Sequence, residues 1–219
     1  MSEISAKDIQ RLRQLMGAGM MDAKRALEES GGDFERAKDI LREKGQAAVA
    51  KRSDRAATEG TVGSYLHHQA GRPVIGVLVE LASETDFVAK SDDFQAAAND
   101  IAMHIAAARP EWVRRQDVPA AVLAKERDLI AAQARNEGKP DHIVDKIVEG
   151  RLQSFYEDNV LYEQPFVRGE RFDGTVGEMV EQLAAAMGEN ISVARFSRMQ
   201  VGESPSAADG GTSLESASA

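Results

Sequence analysis

The chain contains no cysteine. That absence removes disulfides, thiolate metal sites and a cysteine nucleophile together. Aromatic residues occupy only 5% of the 219 positions, whereas alanine is abundant and there are 8 methionines. A helix-rich fold with thin layers is therefore expected. No apolar run approaches the ~20 residues that a membrane helix needs. The N-terminus, Met1-Ser2-Glu3-Ile4-Ser5, lacks the basic-then-apolar layout of a secretory leader. A cytoplasmic protein with no membrane association is expected. There is no Gly-x-x-x-x-Gly-Lys phosphate loop, and no Gly-x-Gly-x-x-Gly follows a strand-like segment.

What is present suits a globular chain of one or two domains, with 42% hydrophobic and 29% charged residues. The net charge of -9 (27 Lys+Arg against 36 Asp+Glu) argues against a phosphate backbone as partner, since that binding wants a basic face. The local basic excess, Lys44, Lys51, Arg52 and Arg55, is interleaved with Ala and Gly and reads as a solvated connector. No direct nucleic-acid contact is expected. Of the four histidines, His67 and His68 adjoin on a strand and point to opposite faces, which makes a poor metal pair. His104 lies beside an Ile101/Ile105 stripe, and spacing alone makes it a half-buried helix histidine. Acid pairs such as Asp92-Asp93 sit in helix first turns, where capping explains them. No catalytic group, metal site or cofactor site is expected, and the chain reads as a non-enzyme.

Periodicity divides the chain. Ile9, Leu12 and Met16 form one helical stripe, which Gly17-Ala18-Gly19 breaks. A second helix begins near Met20-Met21-Asp22 and ends at Gly31-Gly32. Asp33 caps a third that carries Phe34, Ala37, Ile40 and Leu41 and reaches Gly45. Residues 1–45 are thus expected to form a three-helix bundle, followed by a linker at 46–58. Thr61 to His67 and Val74 to Leu81 read as a strand pair around a turn at Gln69-Ala70-Gly71-Arg72, with Ile75, Val77, Val79 and Leu81 on one face. Ser91-Asp92-Asp93 opens a helix that buries Phe94, Ala97, Ile101, Ile105 and Ala108, and Pro110 closes it. Two further helices across Gly138-Lys139-Pro140 make a helical hairpin near 119–156. Thr175 and Glu178 form a capping box for another helix, which Gly188 ends. Ile191 to Val201 reads as the last strand. The expectation is an α+β fold: the N-terminal bundle, then a core at 59–202 with a small antiparallel sheet packed with helices. The tail at 203–219 is expected to be disordered, because its Ser, Ala, Gly, Pro and acidic residues show no periodicity.

Two segments have more than a packing explanation. In Leu15-Met16-Gly17-Ala18-Gly19-Met20-Met21-Asp22-Ala23-Lys24-Arg25-Ala26-Leu27, Met20 and Met21 cannot both point into a three-helix core. Either one packs and one is incidentally exposed, or one is an adaptable contact for a partner. In Glu80-Leu81-Ala82-Ser83-Glu84-Thr85-Asp86-Phe87-Val88-Ala89-Lys90, a lone Phe87 stands among polar residues between a strand and a helix. It either folds back onto the sheet or projects as an interface anchor, with Asp86 supplying charge beside it.

Both segments resemble the two characteristic motifs of the elongation factor Ts family. The resemblance extends to Gln164-Pro165-Phe166-Val167 and to Ala102-Met103-His104-Ile105-Ala106-Ala107, and it covers Ser2 to about Val201. It implies that the first module is ubiquitin-associated-like. It also implies a guanine nucleotide exchange factor for elongation factor Tu, in its GDP-bound or nucleotide-free form. Thr85, Asp86, Phe87 and Val88 would disturb the partner's magnesium site, and Met20, Met21 and His104 would be further contacts. Ala82 stands where the family usually has Asn, and the chain has room for one sheet-and-helix core where longer members have two. This compact form leaves a homodimer open. The competing reading is an adaptor that binds partners through residues 1–45 alone, and a small-molecule enzyme is a distant third.

Overall fold

The computed structural model describes residues 4–203. The expected disordered tail, 203–219, lies outside the described residues apart from Glu203. The chain is α+β and falls into two compact units, each assembled from separate stretches of sequence. One comprises residues 4–62, 80–98 and 177–194, and the other residues 63–79, 99–176 and 195–203.

In the first unit, helices α1 (Ala6–Met16), α2 (Met20–Glu29) and α3 (Phe34–Ala50) pack on one another. Ser5 caps α1 by accepting from the Asp8 amide at 3.1 Å, and Asp33 caps α3 by accepting from the Arg36 amide at 3.1 Å. Leu12, Ala23, Ala26, Leu27, Ala37 and Leu41 form their shared core. Three of the six core residues, Ala23, Ala26 and Ala37 on α2 and α3, are alanines. Sequence spacing ends α3 at Gly45, whereas the helix continues to Ala50. Gly45 sits within the helix, and a Cβ there would meet the Ala185 Cβ at 3.4 Å, an ordinary contact distance, so this glycine does not act as a stop. The Ala47-Ala48-Val49-Ala50 run has the propensity to carry the helix on.

The sheet has the order β1 (Glu59–Gln69), β2 (Arg72–Ser83), β3 (Ser192–Gln200). Ala70 and Gly71, at φ 50° and 80°, make the two-residue turn between β1 and β2, a geometry that needs positive φ at both positions. Val77, Val79 and Leu81 alternate along the buried face of β2. Close backbone approach accounts for Gly60 on β1: an added Cβ would lie 2.3 Å from the Leu81 carbonyl oxygen. Gly60→Ala is therefore expected to cost about 2 kcal/mol or more. The drop in the denaturation midpoint checks this, and an unchanged midpoint contradicts it.

Between β2 and β3 come a one-turn helix α4 (Asp86–Ala89), then α5 (Asp92–Ala108), α6 (Ala120–Asn136), α7 (Asp141–Asn159) and α8 (Val176–Met187). In the first unit, α8 meets the N-terminal helices through polar links. Gln182 donates to the Leu15 carbonyl at 3.2 Å, Gln46 to Glu181 at 3.2 Å, and Arg42 pairs with Glu178 at 3.7 Å. In the second unit, α6 and α7 pack together across a turn at Gly138 (φ 74°), burying Ile130, Ala134, Val144 and Leu152. Arg151 reaches Gln133 and Glu137 across that contact at 3.1 Å each. No described helix is long and apolar enough to cross a membrane.

Candidate functional site

The end of β2 is buried: Leu81, Ala82 and Ser83 are each no more than 6% exposed. The chain then turns outward. Ser83 donates from its hydroxyl to the Thr85 carbonyl at 3.0 Å. Thr85 caps α4, its Oγ1 accepting from the Val88 amide at 3.4 Å. Val88 and Ala89 pack inward, at 6% and 7% exposure, and Ser91 Oγ ties back to the Val88 carbonyl at 2.8 Å. One helical turn anchored on Val88 and Ala89 must direct the preceding Phe87 away from the core. Phe87 is 83% exposed, the most exposed large apolar side chain among the described residues. Of the two fates open to it from sequence, projection is the observed one. The stretch between the strand and the next helix is thus a capped helical turn, because Thr85 supplies the capping oxygen that sequence periodicity over four residues cannot reveal.

Asp86 pairs with Lys90 at 2.5 Å. That hydrogen bond and charge hold the Asp86 carboxyl below the usual carboxylate range and the Lys90 ammonium above its ordinary value. Both groups are solvent-facing, so the pair shapes the charge beside Phe87 and adds little stability.

The segment is also gripped from α8 onward. Gly188 (φ 74°) ends that helix, and Glu189 follows. Glu189 Oε2 accepts from the amides of Glu84 and Thr85 at 3.0 and 3.1 Å, and its Oε1 accepts from the Thr85 hydroxyl at 2.6 Å. In return, Glu84 Oε1 accepts from the Asn190 amide at 2.7 Å and pairs with Arg55 at 3.5 Å. Asn190 Nδ2 donates to the carbonyls of Ser53 and Arg55 at 3.2 and 2.7 Å. Sequence reasoning missed Glu189 and Asn190. Their only local sign is a polar pair just after a helix-ending glycine, and their partners lie 104 to 137 positions away.

Met20 and Met21 open α2 and are 50% and 57% exposed, with Leu15 beside the same corner at 52%. Neither methionine is packed away, so the corner presents three apolar side chains to solvent.

His104 sits elsewhere, in the second unit on α5, with no exposed surface. Sequence spacing expects a half-buried ring; the enclosure comes from residues 60 positions downstream. Its Nδ1 accepts from the Val167 amide at 3.2 Å, which fixes the proton on Nε2, and Nε2 donates to Gln164 Oε1 at 2.9 Å. Gln164 Nε2 donates to the Asp158 and Ala108 carbonyls at 2.8 and 3.4 Å, and the Phe166 ring stacks on the imidazole at 5.7 Å. Burial pushes the His104 pKa below its ordinary value, opposed by the Gln164 hydrogen bond. This network holds the Gln164-Pro165-Phe166-Val167 segment, which leaves Val167 45% exposed. His104 is thus fully enclosed, and its ring holds the backbone of Val167. Among the described residues, no group of three His, Asp or Glu side chains could hold a metal ion.

The family model described as Elongation factor TS matches residues 7–203. The elongation factor Ts of Carboxydothermus hydrogenoformans is 54% identical over 200 residues, which cover 91% of this chain and 90% of that one. That of Fervidobacterium nodosum is 51% identical over 201 residues, covering 92% of this chain and all of its counterpart. That of an Anaeromyxobacter species is 52% identical over 203 residues, covering 93% and 90%. The match takes in both exposed motifs and the braced segment, and on that extent the chain belongs to the elongation factor Ts family.

Proposed function

We propose that this chain is a guanine nucleotide exchange factor that releases GDP from elongation factor Tu, acting by binding and not by catalysis of a bond change. Family membership supports the general function. The observation that supports the mechanism is Phe87, an apolar anchor 83% exposed on a turn fixed from both ends. Thr85, Asp86, Phe87 and Val88 enter the partner near its magnesium site and displace the contacts that tie GDP to the ion. Met20 and Met21, on a ubiquitin-associated-like module, are a second contact on the same partner. His104 contributes through Val167, whose amide it holds. The partner is engaged GDP-bound and retained nucleotide-free, in the cytoplasm. A homodimer is a further reading, supported by Leu66, Leu78 and Met199 on the strands and Val201 just after β3, which are 54% to 72% exposed. Light scattering at increasing concentration tests it: a constant monomer mass contradicts it.

Linkage sets the magnitude. A factor that weakens GDP binding by some ratio is itself weakened by GDP in the same ratio. A thousandfold coupling needs ~4 kcal/mol, and one buried aromatic anchor contributes ~2 kcal/mol or more. Phe87 therefore needs help from the methionine corner.

The magnesium step is tested by measuring release of fluorescent GDP from elongation factor Tu with magnesium present and with it chelated. If the turn acts through the ion, acceleration by the factor is large with magnesium and shrinks several-fold without it. Equal acceleration in both conditions rejects that step while leaving exchange itself standing.

The adaptor reading, in which residues 1–45 alone carry binding, is separated by Met20→Ser with Met21→Ser. Truncation is the poorer tool, because α8 hydrogen-bonds to α1 and α3. The double variant is expected to weaken partner binding roughly tenfold, the scale of one interface contact of ~1.4 kcal/mol, with an unchanged melting temperature. An adaptor would lose its binding altogether and show no dependence on Phe87.

A further inference from the structure

Phe87 is useful as a wedge only if the turn that carries it does not yield on contact. The free energy that would displace the partner's groups would otherwise go into bending the turn. Its inward residues, Val88 and Ala89, are small and offer limited packing. Hydrogen bonds supply the rest, and they converge on one carboxylate.

Glu189 takes three donors: the two consecutive amides of Glu84 and Thr85 and the Thr85 hydroxyl, between 2.6 and 3.1 Å. Charge-assisted bonds of this kind are the strong ones. The same Thr85 hydroxyl oxygen caps the turn by accepting from the Val88 amide, so Glu189 fixes the rotamer on which the cap depends. Glu84 and Asn190 repeat the arrangement in the opposite direction and add the Ser53 and Arg55 carbonyls. Neither Glu84 nor Glu189 is spent on a surface ion pair alone; both hold backbone.

We infer that Glu189 is a positioning residue for exchange: its carboxylate locks the Thr85–Val88 turn so that Phe87 meets the partner preorganised. This rests on the exchange reading above. Glu189 itself touches no partner; it acts through Thr85.

The test compares Glu189→Ala, Glu189→Gln and Glu189→Ala combined with Phe87→Ala in release of fluorescent GDP from elongation factor Tu, over a range of factor concentrations. Glu189→Ala is expected to lower the maximal release rate roughly tenfold, the effect of losing ~1.4 kcal/mol from hydrogen bonds to a charged acceptor. Glu189→Gln keeps an oxygen for the two amides and offers its amide to the Thr85 oxygen, so it recovers most of the rate. In the Phe87→Ala background, Glu189→Ala adds less than about twofold, because residues that act as one unit are not additive. Amide hydrogen exchange at Glu84 and Thr85 quickens in Glu189→Ala and stays slow in Glu189→Gln. Should Glu189→Ala fail to fold, Glu189→Asp, which retracts the charge by one methylene, takes its place with the same expectations.

A folded Glu189→Ala with the wild-type rate overturns the positioning role, as does a full additive loss on top of Phe87→Ala. A wild-type protein that leaves GDP release unchanged overturns the exchange reading instead, and the two failures are read from different samples.

Discussion

Phe87→Ala is expected to slow GDP release from elongation factor Tu by about 30-fold, the rate equivalent of an interface anchor of ~2 kcal/mol, and to leave the protein's own stability intact. The second half follows from exposure: a side chain 83% open to water contributes little to the core, and surface truncations away from special features stay within about 0.5 kcal/mol. Val88 and Ala89, which anchor the turn, are unchanged, and so is the Thr85 cap. Stopped-flow release and a thermal melt on the same preparation check both parts. A full rate in Phe87→Ala removes the wedge. A lowered melting temperature would mean the ring packs on this chain in solution, and the rate loss would then say nothing about the partner.

The second large effect is on stability. His104→Ala removes an enclosed ring and leaves the Gln164 side-chain oxygen and the Val167 amide without their partner. A cavity together with an unsatisfied buried polar group costs about 3 kcal/mol. A chain of this length loses about 2–4 °C of melting temperature per kcal/mol, so a drop of about 6–12 °C is expected. A pH dependence accompanies it. Burial holds the folded imidazole below its ordinary pKa of 6.5, so the unfolded chain takes up the proton first as pH falls. The stability that depends on a neutral His104 is complete above about 6.5 and is lost as pH falls below that value toward the folded pKa. Wild type should therefore destabilise more steeply than His104→Ala between pH 7.5 and 5.5. Parallel melting curves for the two proteins would contradict the neutral, Nε2-protonated assignment. Exchange activity of His104→Ala should fall less than that of Phe87→Ala, since His104 reaches the surface only through Val167.

Much of this fold is legible in the sequence because its decisive signals are local. Asp33 stands where a helix cap should be, and its side chain accepts the Arg36 amide. Gln69-Ala70-Gly71-Arg72 reads as a turn, and Ala70 and Gly71 adopt the paired positive φ of a tight one. The alternation Val77, Val79, Leu81 names the buried face of its strand directly. Gly45 misleads because a glycine looks the same in sequence whether it stops a helix or lies inside one, and here α3 runs through it to Ala50.

The site divides in the same way. Phe87 could be singled out because an aromatic among polar residues has a small set of fates, but its direction stayed open until the structure showed Val88 and Ala89 packed inward. The enclosure of His104 and the grip of Glu189 could not be read, because both depend on pairings across 60 and about 105 positions. A residue's chemistry is visible in a sequence; the partner that makes it matter usually is not.

The most direct test of the account is release of a fluorescent GDP analogue from elongation factor Tu of the same organism, with and without this protein, in a stopped-flow instrument. A sharp, saturable acceleration that Phe87→Ala largely abolishes is expected. No acceleration, with this protein folded and the GTPase active, would contradict it.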